Sequence, residues 1–305
     1  MNKPLETKSL FVSIVGKPNV GKSSLMNMLV NSKISIVSPK PQTTRGKILG
    51  ILTFDDTQLV FIDTPGLYKP KNKLDRYMIS EINSSFSGAE ACMHVIEAGK
   101  EVTDFDLELI KKFEKLNIPI ILIINKIDLI SDKSSIMEQI KKLDSLFNYS
   151  SIIPVSSKTG DGREEIIEEL TKLAHNSVFF FPEDDITDQS ERTMVSEMIR
   201  EKLLRFLNQE LPHGTAVVIE SFHTREDGIT DISATIYCEK ENHKRMIIGK
   251  GGAMLKKIGS AARNELEGML DRKINLKIWV KIKENWRNSD FLLNNLGYEI
   301  ENKTK

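Results

Sequence analysis

The sequence predicts an α/β protein in two parts: a larger domain with a mainly parallel sheet flanked by helices, then a smaller α+β domain. Three observations carry this. From Leu10 to about His175, apolar runs rich in Ile and Val alternate with segments of helical period, and such continuous runs belong to strands covered on both faces. The alternation stops at Val178–Arg192, VFFFPEDDITDQSER, where a proline and a cluster of acids end it. Beyond it the order becomes helix, strand, strand, helix, helix, strand, with the glycine loop GKGG between the last two helices.

In the first part the strands are expected at Leu10–Val15, Lys47–Leu52, Gln58–Asp63, Ala91–Ala98, Pro119–Asn125 and Ile152–Ser156. SSLMNMLV, DFDLELIKKFEKL and SSIMEQIKKLDSLF carry apolar residues at three- and four-residue spacing and read as helices between them. The three phenylalanines of VFFFP are expected to pack a wrap-around linker on a neighbour. In the second part, a long helix over Ser190–Glu210 precedes strands near TAVVIESF and DISATIYCE, a short helix ENHKRMII, a helix from Ala253 to about Leu270, and the strand INLKIWVKIK. The boundaries expected are 1–177 for the first domain, 178–189 for the linker and 190–305 for the second domain with its tail. Trp279 and Trp286 could stack on the flat rings of a ligand, but Trp279 alternates within its strand and is expected in the core.

Composition excludes disorder and fibre: the 305 residues are 40% hydrophobic and 28% charged. Lys plus Arg and Asp plus Glu both number 43, so overall charge gives no reason to expect nucleic acid. Cys92 and Cys238 lie far apart in strand-like segments with no CxxC spacing, as expected of core thiols in a reducing compartment. The start, MNKPLETKSLFVSIVG, has too short an apolar run for a signal peptide. No stretch reaches the roughly 18 apolar residues of a membrane helix. A cytoplasmic protein is expected, with peripheral contact at the inner face of the cell membrane left open.

Four short motifs follow strand ends in order. GKPNVGKS, Gly16 to Ser23, fits the phosphate loop GxxxxGK[ST] and opens the helix that continues through Ser24. Glycines 16 and 21, with Lys17, Pro18, Asn19 and Val20 between them, let backbone N–H groups converge on phosphates. Lys22 reaches the β- and γ-phosphates, and the Ser23 hydroxyl suits Mg²⁺. In DTPG, Asp63 sits at a strand tip where a carboxylate holds Mg²⁺ through water, and Gly66 leaves room for a γ-phosphate contact; Thr64, Pro65 and Leu67 complete this edge.

NKID spans Asn125, Lys126, Ile127 and Asp128. An ionised Asp128 accepts both the ring N–H and the exocyclic amine of guanine, whereas adenine has no matching donor pair. Asn125 ties this loop to the phosphate loop, and the stem of Lys126 lies over the base. Ser156, Ser157 and Lys158 then supply backbone contacts to the guanine oxygen. A kinase or ATPase shares the phosphate loop, but Asp128 argues against it.

RMIIGKGGAMLKKIG resembles a KH signature, with GxxG at Gly249, Lys250, Gly251 and Gly252. Glycines admit a sugar-phosphate chain closely, and Ile247, Ile248 and Leu255 are expected to line a groove for unstacked bases, with Lys256 and Lys257 beside it. Charge supports this: between Lys240 and Arg287 there are 13 Lys/Arg and 5 Asp/Glu, a local excess of 13 − 5 = 8 positive charges.

GKPNVGKS, QTTR, DTPGL, NKID and SSK, with the linker FPEDDITDQSER, the helix SEMIREKLLRFLNQELP and a type II KH order, make the chain from about Leu10 to Tyr298 resemble the Era family of ribosome-assembly GTPases. The resemblance implies a P-loop GTPase domain with a smaller type II KH domain, and GTP or GDP with Mg²⁺ as ligands. It implies a switch threonine at Thr44, with Thr43 the alternative, and a catalytic set of Lys22, Thr44, Asp63 and Gly66. Families carrying GxPNVGKS often use the asparagine to hold K⁺, which the resemblance implies for Asn19; the alternative is a loop residue hydrogen-bonding its own backbone. In the Ras-like pattern a glutamine after DxxG orients the attacking water; Leu67 stands there, so slow intrinsic hydrolysis is expected. The implied partners are the 3′ end of 16S rRNA and the 30S subunit, with no DNA. Two alternatives remain: action on a different structured RNA, or RNA binding with a largely inactive nucleotide domain. Ser24 departs from the family's usual threonine.

Overall fold

Strand β1 (Lys8–Gly16) lies between two parallel neighbours because its apolar residues are needed on both faces. The computed structural model describes residues 7–40, 43–66, 70–207 and 211–298. Helix α1 (Lys22–Leu29) follows, then β2 (Ile48–Phe54), β3 (Thr57–Asp63), α2 (Lys73–Ser87), β4 (Ala91–Glu97), α3 (Asp104–Phe113), β5 (Ile120–Asn125), α4 (Lys133–Asp144), β6 (Ser151–Pro154) and α5 (Arg163–Leu173). The order across the sheet is β2-β3-β1-β4-β5-β6. Parity along one strand separates two cores: Ile121 and Ile123 join Val12, Ile14 and Leu25 on one face, while Ile120, Leu122 and Ile124 join Val15, Cys92 and Phe113 on the other.

Among the described residues of this sheet, only β2 and the two-residue β7 (His175–Asn176) run antiparallel to their partners. The β2–β3 pair is a hairpin turned by Asp55 and Asp56, with Asp55 at φ 47°. In-register pairs Ile14 with Asp63, Gly16 with Val95 and Glu97 with Asn125 align the carboxyl ends of these strands. Strand order reverses at β1, the place where open α/β sheets hold ligands.

After β7 the chain wraps back over this sheet. The buried Gln58 accepts from the Phe180 and Phe181 N–H groups at 2.9 and 3.1 Å and donates to the Phe181 carbonyl at 2.9 Å. Phe180 meets Phe11 edge-on at 5.0 Å. Farther along, Thr187 Oγ1 donates to the Leu49 carbonyl at 2.7 Å. The first compact unit therefore extends to Asp188.

The second unit comprises residues from Gln189 onward, with described residues of 36–43 and 69–77. Ser190 caps α6 (Glu191–Phe206) by accepting from the Thr193 N–H. Then come β8 (Thr215–Thr224), β9 (Thr230–Cys238), α7 (Glu241–Ile248), α8 (Ala253–Leu270), β10 (Ile274–Ile282) and α9 (Asp290–Asn295). The three-stranded sheet has the order β10-β9-β8, with β10 parallel and β8 antiparallel to β9. Charges buried on α6 are paired, as burial demands: Arg200 with Glu197 at 2.5 Å, Lys202 with Glu201 at 2.6 Å. Within this unit the Val37 N–H donates to Glu201 at 3.1 Å and Arg200 donates to the Thr43 carbonyl.

One core expectation fails. Trp279 is 47% exposed, while Trp286 is fully buried and donates to the Gly214 carbonyl at 3.1 Å. Alternation along β10 marks a strand but does not say which parity faces inward. Both cysteines are buried free thiols. Among the described residues no helix is long and apolar enough to cross a membrane.

Candidate functional site

Gly21 precedes α1 at φ 101°, where a Cβ would come within 2.2 Å of the Asn125 amide nitrogen; only glycine allows this contact. The buried Lys22 ammonium donates to the Gly16 and Lys17 carbonyls at 3.0 and 2.9 Å. Burial lowers its pKa to about 8, against the pull of Asp63. These two carbonyls hold the ammonium inside the loop that would receive phosphates.

Three hydroxyls converge on Asp63 Oδ2: Ser23 at 2.7 Å, Ser35 at 3.2 Å and Thr44 at 3.3 Å. Ser23 and Thr44 are themselves 2.9 Å apart. Asp63 is fully buried and its Oδ1 has no hydrogen-bond partner. Burial raises its pKa, opposed by Lys22 and the three hydroxyls. An uncompensated carboxylate oxygen beside two hydroxyls is a hard oxygen set that fits Mg²⁺. Ser23, Thr44 and Asp63 would hold that ion, which supplies positive charge for phosphate oxygens when bound.

Of the two candidate switch threonines, Thr44 is the one brought to this cluster; Thr43 Oγ1 donates instead to the Lys40 carbonyl at 2.7 Å. Ser35 carried no signal in the sequence. It is positioned by Asn27, whose side chain accepts from the Ile34 and Ser35 N–H groups at 3.1 and 2.9 Å and donates to the Ser35 carbonyl at 2.7 Å.

The loops proposed from the sequence to meet the base are laced together by Asn125. Its Nδ2 donates to the Val20 carbonyl at 2.9 Å, and its Oδ1 accepts from the Lys126 N–H, the Ser157 N–H and the Ser157 hydroxyl at 2.8, 3.0 and 2.9 Å. Lys126, at φ 67°, reaches the Asn19 carbonyl at 2.6 Å and Glu97 at 2.7 Å. Ser156 Oγ donates to Asp128 Oδ1 at 2.7 Å, leaving the exposed carboxylate oriented at the loop surface.

Two other sequence candidates take framework places. Lys17 pairs with Asp106 at 2.6 Å, and the Thr64 hydroxyl donates to the Ile14 carbonyl at 2.9 Å. Gly66 lies against Pro18, Ser24 is half-buried, and Asn19 and Lys158 are exposed. Leu67 lies outside the described residues.

In the second unit, Gly249 stands at φ 72° with Met254 so close that a Cβ would meet its backbone nitrogen at 2.9 Å. Gly251 and Gly252 face open space. Beside them runs a groove of about 360 Å³ lined by Gly252, Leu255, Lys256, Arg263, Leu276 and Ile278 among others. Lys250, Lys256 and Lys257 are exposed, and Lys257 lies 4.5 Å from the Phe206 ring centre. Ile247 corrects an expectation: it is fully buried in the core and is not among the residues that line the groove. Arg263 was not singled out, although its spacing of eight from Leu255 puts both on one face of α8. Leu276 and Ile278 carried no such signal.

The family described as a 50S ribosome-binding GTPase matches residues 11–126, and the KH domain matches residues 210–287. GTPase Era of Ruminiclostridium cellulolyticum is 47% identical, over 96% of this chain and 98% of its own. The chain belongs to the Era family of GTPases. It has the family's architecture, a P-loop GTPase domain with a mainly parallel sheet and a C-terminal KH domain. Aquifex aeolicus Era bound to GDP·AlF4⁻ matches with a TM-score of 0.93 and 35% identity, over 96% of this chain and 100% of that one. Era in complex with MgGDPNP and nucleotides 1506–1542 of 16S ribosomal RNA matches with a TM-score of 0.92 and 36% identity, over the same shares. The Era family thus accounts for both loops, GKPNVGKS and GKGG, in one chain.

Proposed function

We propose that this protein is a cytoplasmic GTP-hydrolysing switch that grips the 3′ end of 16S rRNA in its KH groove and acts in maturation of the 30S subunit. The observation that carries the reading is the presence in one chain of two candidate cradles. The convergence of Ser23, Ser35 and Thr44 on Asp63 suits Mg²⁺ and a γ-phosphate, and the groove beside GKGG suits a single strand. The Era solved with MgGDPNP and a 16S rRNA fragment supports the same pairing of ligands.

The γ-phosphate would order QTTR and the segment after DTPG and thereby bias the RNA-binding state. In support, described residues of 36–43 cluster with the KH domain, where Arg200 holds the Thr43 carbonyl. The test compares affinity for a 16S 3′-end oligonucleotide in GDP and in a non-hydrolysable GTP analogue at one salt concentration. Equal affinities reject the coupling. GTP turnover that small subunits leave unchanged rejects the assembly role.

Hydrolysis is slow because Leu67 has no group to orient water, and K⁺ at Asn19 assists it. Equal rates in Na⁺ and K⁺ buffers would exclude that assistance.

A further inference from the structure

We propose that the outer face of the KH sheet is a second RNA-contact surface, where bases leaving the groove stack on Trp279 and phosphates meet Lys277, Lys281 and Lys283. The proposal rests on the reading that the groove binds single-stranded RNA.

Strand β10 divides its side chains by parity. Leu276, Ile278 and Val280 pack on the core, so Lys277, Trp279 and Lys281 share the opposite face. Lys277 and Lys281 are exposed, and Trp279 is 47% exposed. Alternate side chains on one strand stand about 6.6 Å apart, which brackets the indole between two ammonium groups. Lys283 extends the row, 4.8 Å from the Tyr237 ring centre. Across the sheet on this face stand Ser233 opposite Lys277, Thr235 opposite Trp279 and Tyr237 opposite Lys281, with Val218 beyond Thr235. Of the carboxylates on this face, Asp231 is held by Arg225 at 2.5 Å and by Asn275 at 2.7 Å, and Glu220 accepts from Tyr237 at 3.5 Å.

A protein partner would call for an apolar surround to this tryptophan. An aromatic ring among lysines fits a chain of flat bases and phosphates. Continuity with the groove gives the route. Leu276 and Ile278 line the groove from β10, and β10 is an edge strand, so a strand leaving Ile278 rounds a single edge to reach Trp279.

The test uses the full chain with a tetranucleotide and a dodecanucleotide copied from the 3′ end of 16S rRNA. Trp279→Ala is expected to weaken the dodecanucleotide about 10-fold or more and to leave the tetranucleotide unchanged. The chain has two tryptophans and Trp286 is buried, so the dodecanucleotide should quench emission in the native protein and not in Trp279→Phe, which keeps the fold. Lys277→Ala with Lys281→Ala should flatten the salt dependence for the longer RNA alone. Unchanged dodecanucleotide affinity without quenching overturns the proposal, while tetranucleotide binding keeps the groove reading. Failure of both RNAs to bind overturns both readings. Quenching by poly-glutamate but not by RNA assigns the face to an acidic protein and likewise overturns the proposal.

Discussion

Asn125 Nδ2 donates to the Val20 carbonyl at 2.9 Å, joining two loops 105 residues apart in the chain. The same side chain accepts three further hydrogen bonds from Lys126 and Ser157, so one buried amide positions the phosphate loop together with the loops at 125–128 and 156–158. Leaving buried partners unsatisfied costs about 1–3 kcal/mol. Asn125→Ala should therefore weaken GDP binding by about 10- to 100-fold, read by titration with a fluorescent GDP analogue. Native affinity in the variant would mean that backbone contacts alone align these loops.

Asp63→Asn should separate folding from metal binding. Burial raises the folded pKa of Asp63, so its ionisation opposes folding, and stability falls as pH rises from the unfolded value through the folded one. The amide removes that penalty. The melting temperature of the nucleotide-free protein at neutral pH is expected to rise, while Mg²⁺ affinity with GTP falls about 10- to 100-fold. A lower melting temperature without nucleotide would contradict the charge argument.

Asp128→Asn should exchange the base preference. Ser156 holds the Asp128 carboxylate at 2.7 Å, and an amide there offers a donor where guanine also has a donor. GTP affinity is expected to drop by at least about 100-fold, with xanthosine triphosphate gaining in competition assays. Unchanged discrimination would move base recognition to the Ser156–Lys158 loop.

His94 makes stability depend on acid. Its ring is fully buried against Tyr149 at 3.0 Å; burial lowers its pKa from 6.5 to about 4, with Asp106 opposing and Lys17 adding to the shift. Between these values the unfolded chain takes up a proton that the folded chain refuses, so stability falls as pH drops through that window, by about 3 kcal/mol in full. His94→Gln should flatten this difference in urea unfolding at pH 7 and pH 4.5. Parallel profiles for the two proteins would refute it.

The GKGG loop should tolerate charge unevenly. Gly251 stands at φ 59° facing open space, a conformation aspartate adopts readily. Gly251→Asp is expected to keep the native melting temperature and to lose RNA affinity by about 10-fold or more. Gly249→Ala, pressed against Met254, is expected to destabilise the domain instead. Both outcomes are read by thermal melts beside RNA titration.

Strand positions in the first sheet were legible because residues such as Ile120–Ile124 are buried on both faces, and that demands an unbroken apolar run. The antiparallel direction of β2 was less so. It depends on the two-residue Asp55–Asp56 turn, a signal present but weaker than apolar period. Helices α2 and α5 lie outside the sequence expectations, and Trp279 faces outward instead of inward because alternation has no sign.

Gly21, Lys22, Ser23, Asp63, Asn125 and Asp128 stand out in the chain alone, because the proposed phosphate and guanine chemistry asks for those residue types at strand ends. Local order carries that information. The arrival of Ser35 at Asp63 under the grip of Asn27, the burial of Ile247, the placement of Arg263 with Leu276 and Ile278 along one groove, and the outward turn of Trp279 came from packing. Each depends on contacts between residues remote in the chain or on which side of a sheet meets a helix. No local pattern of residue types encodes those contacts.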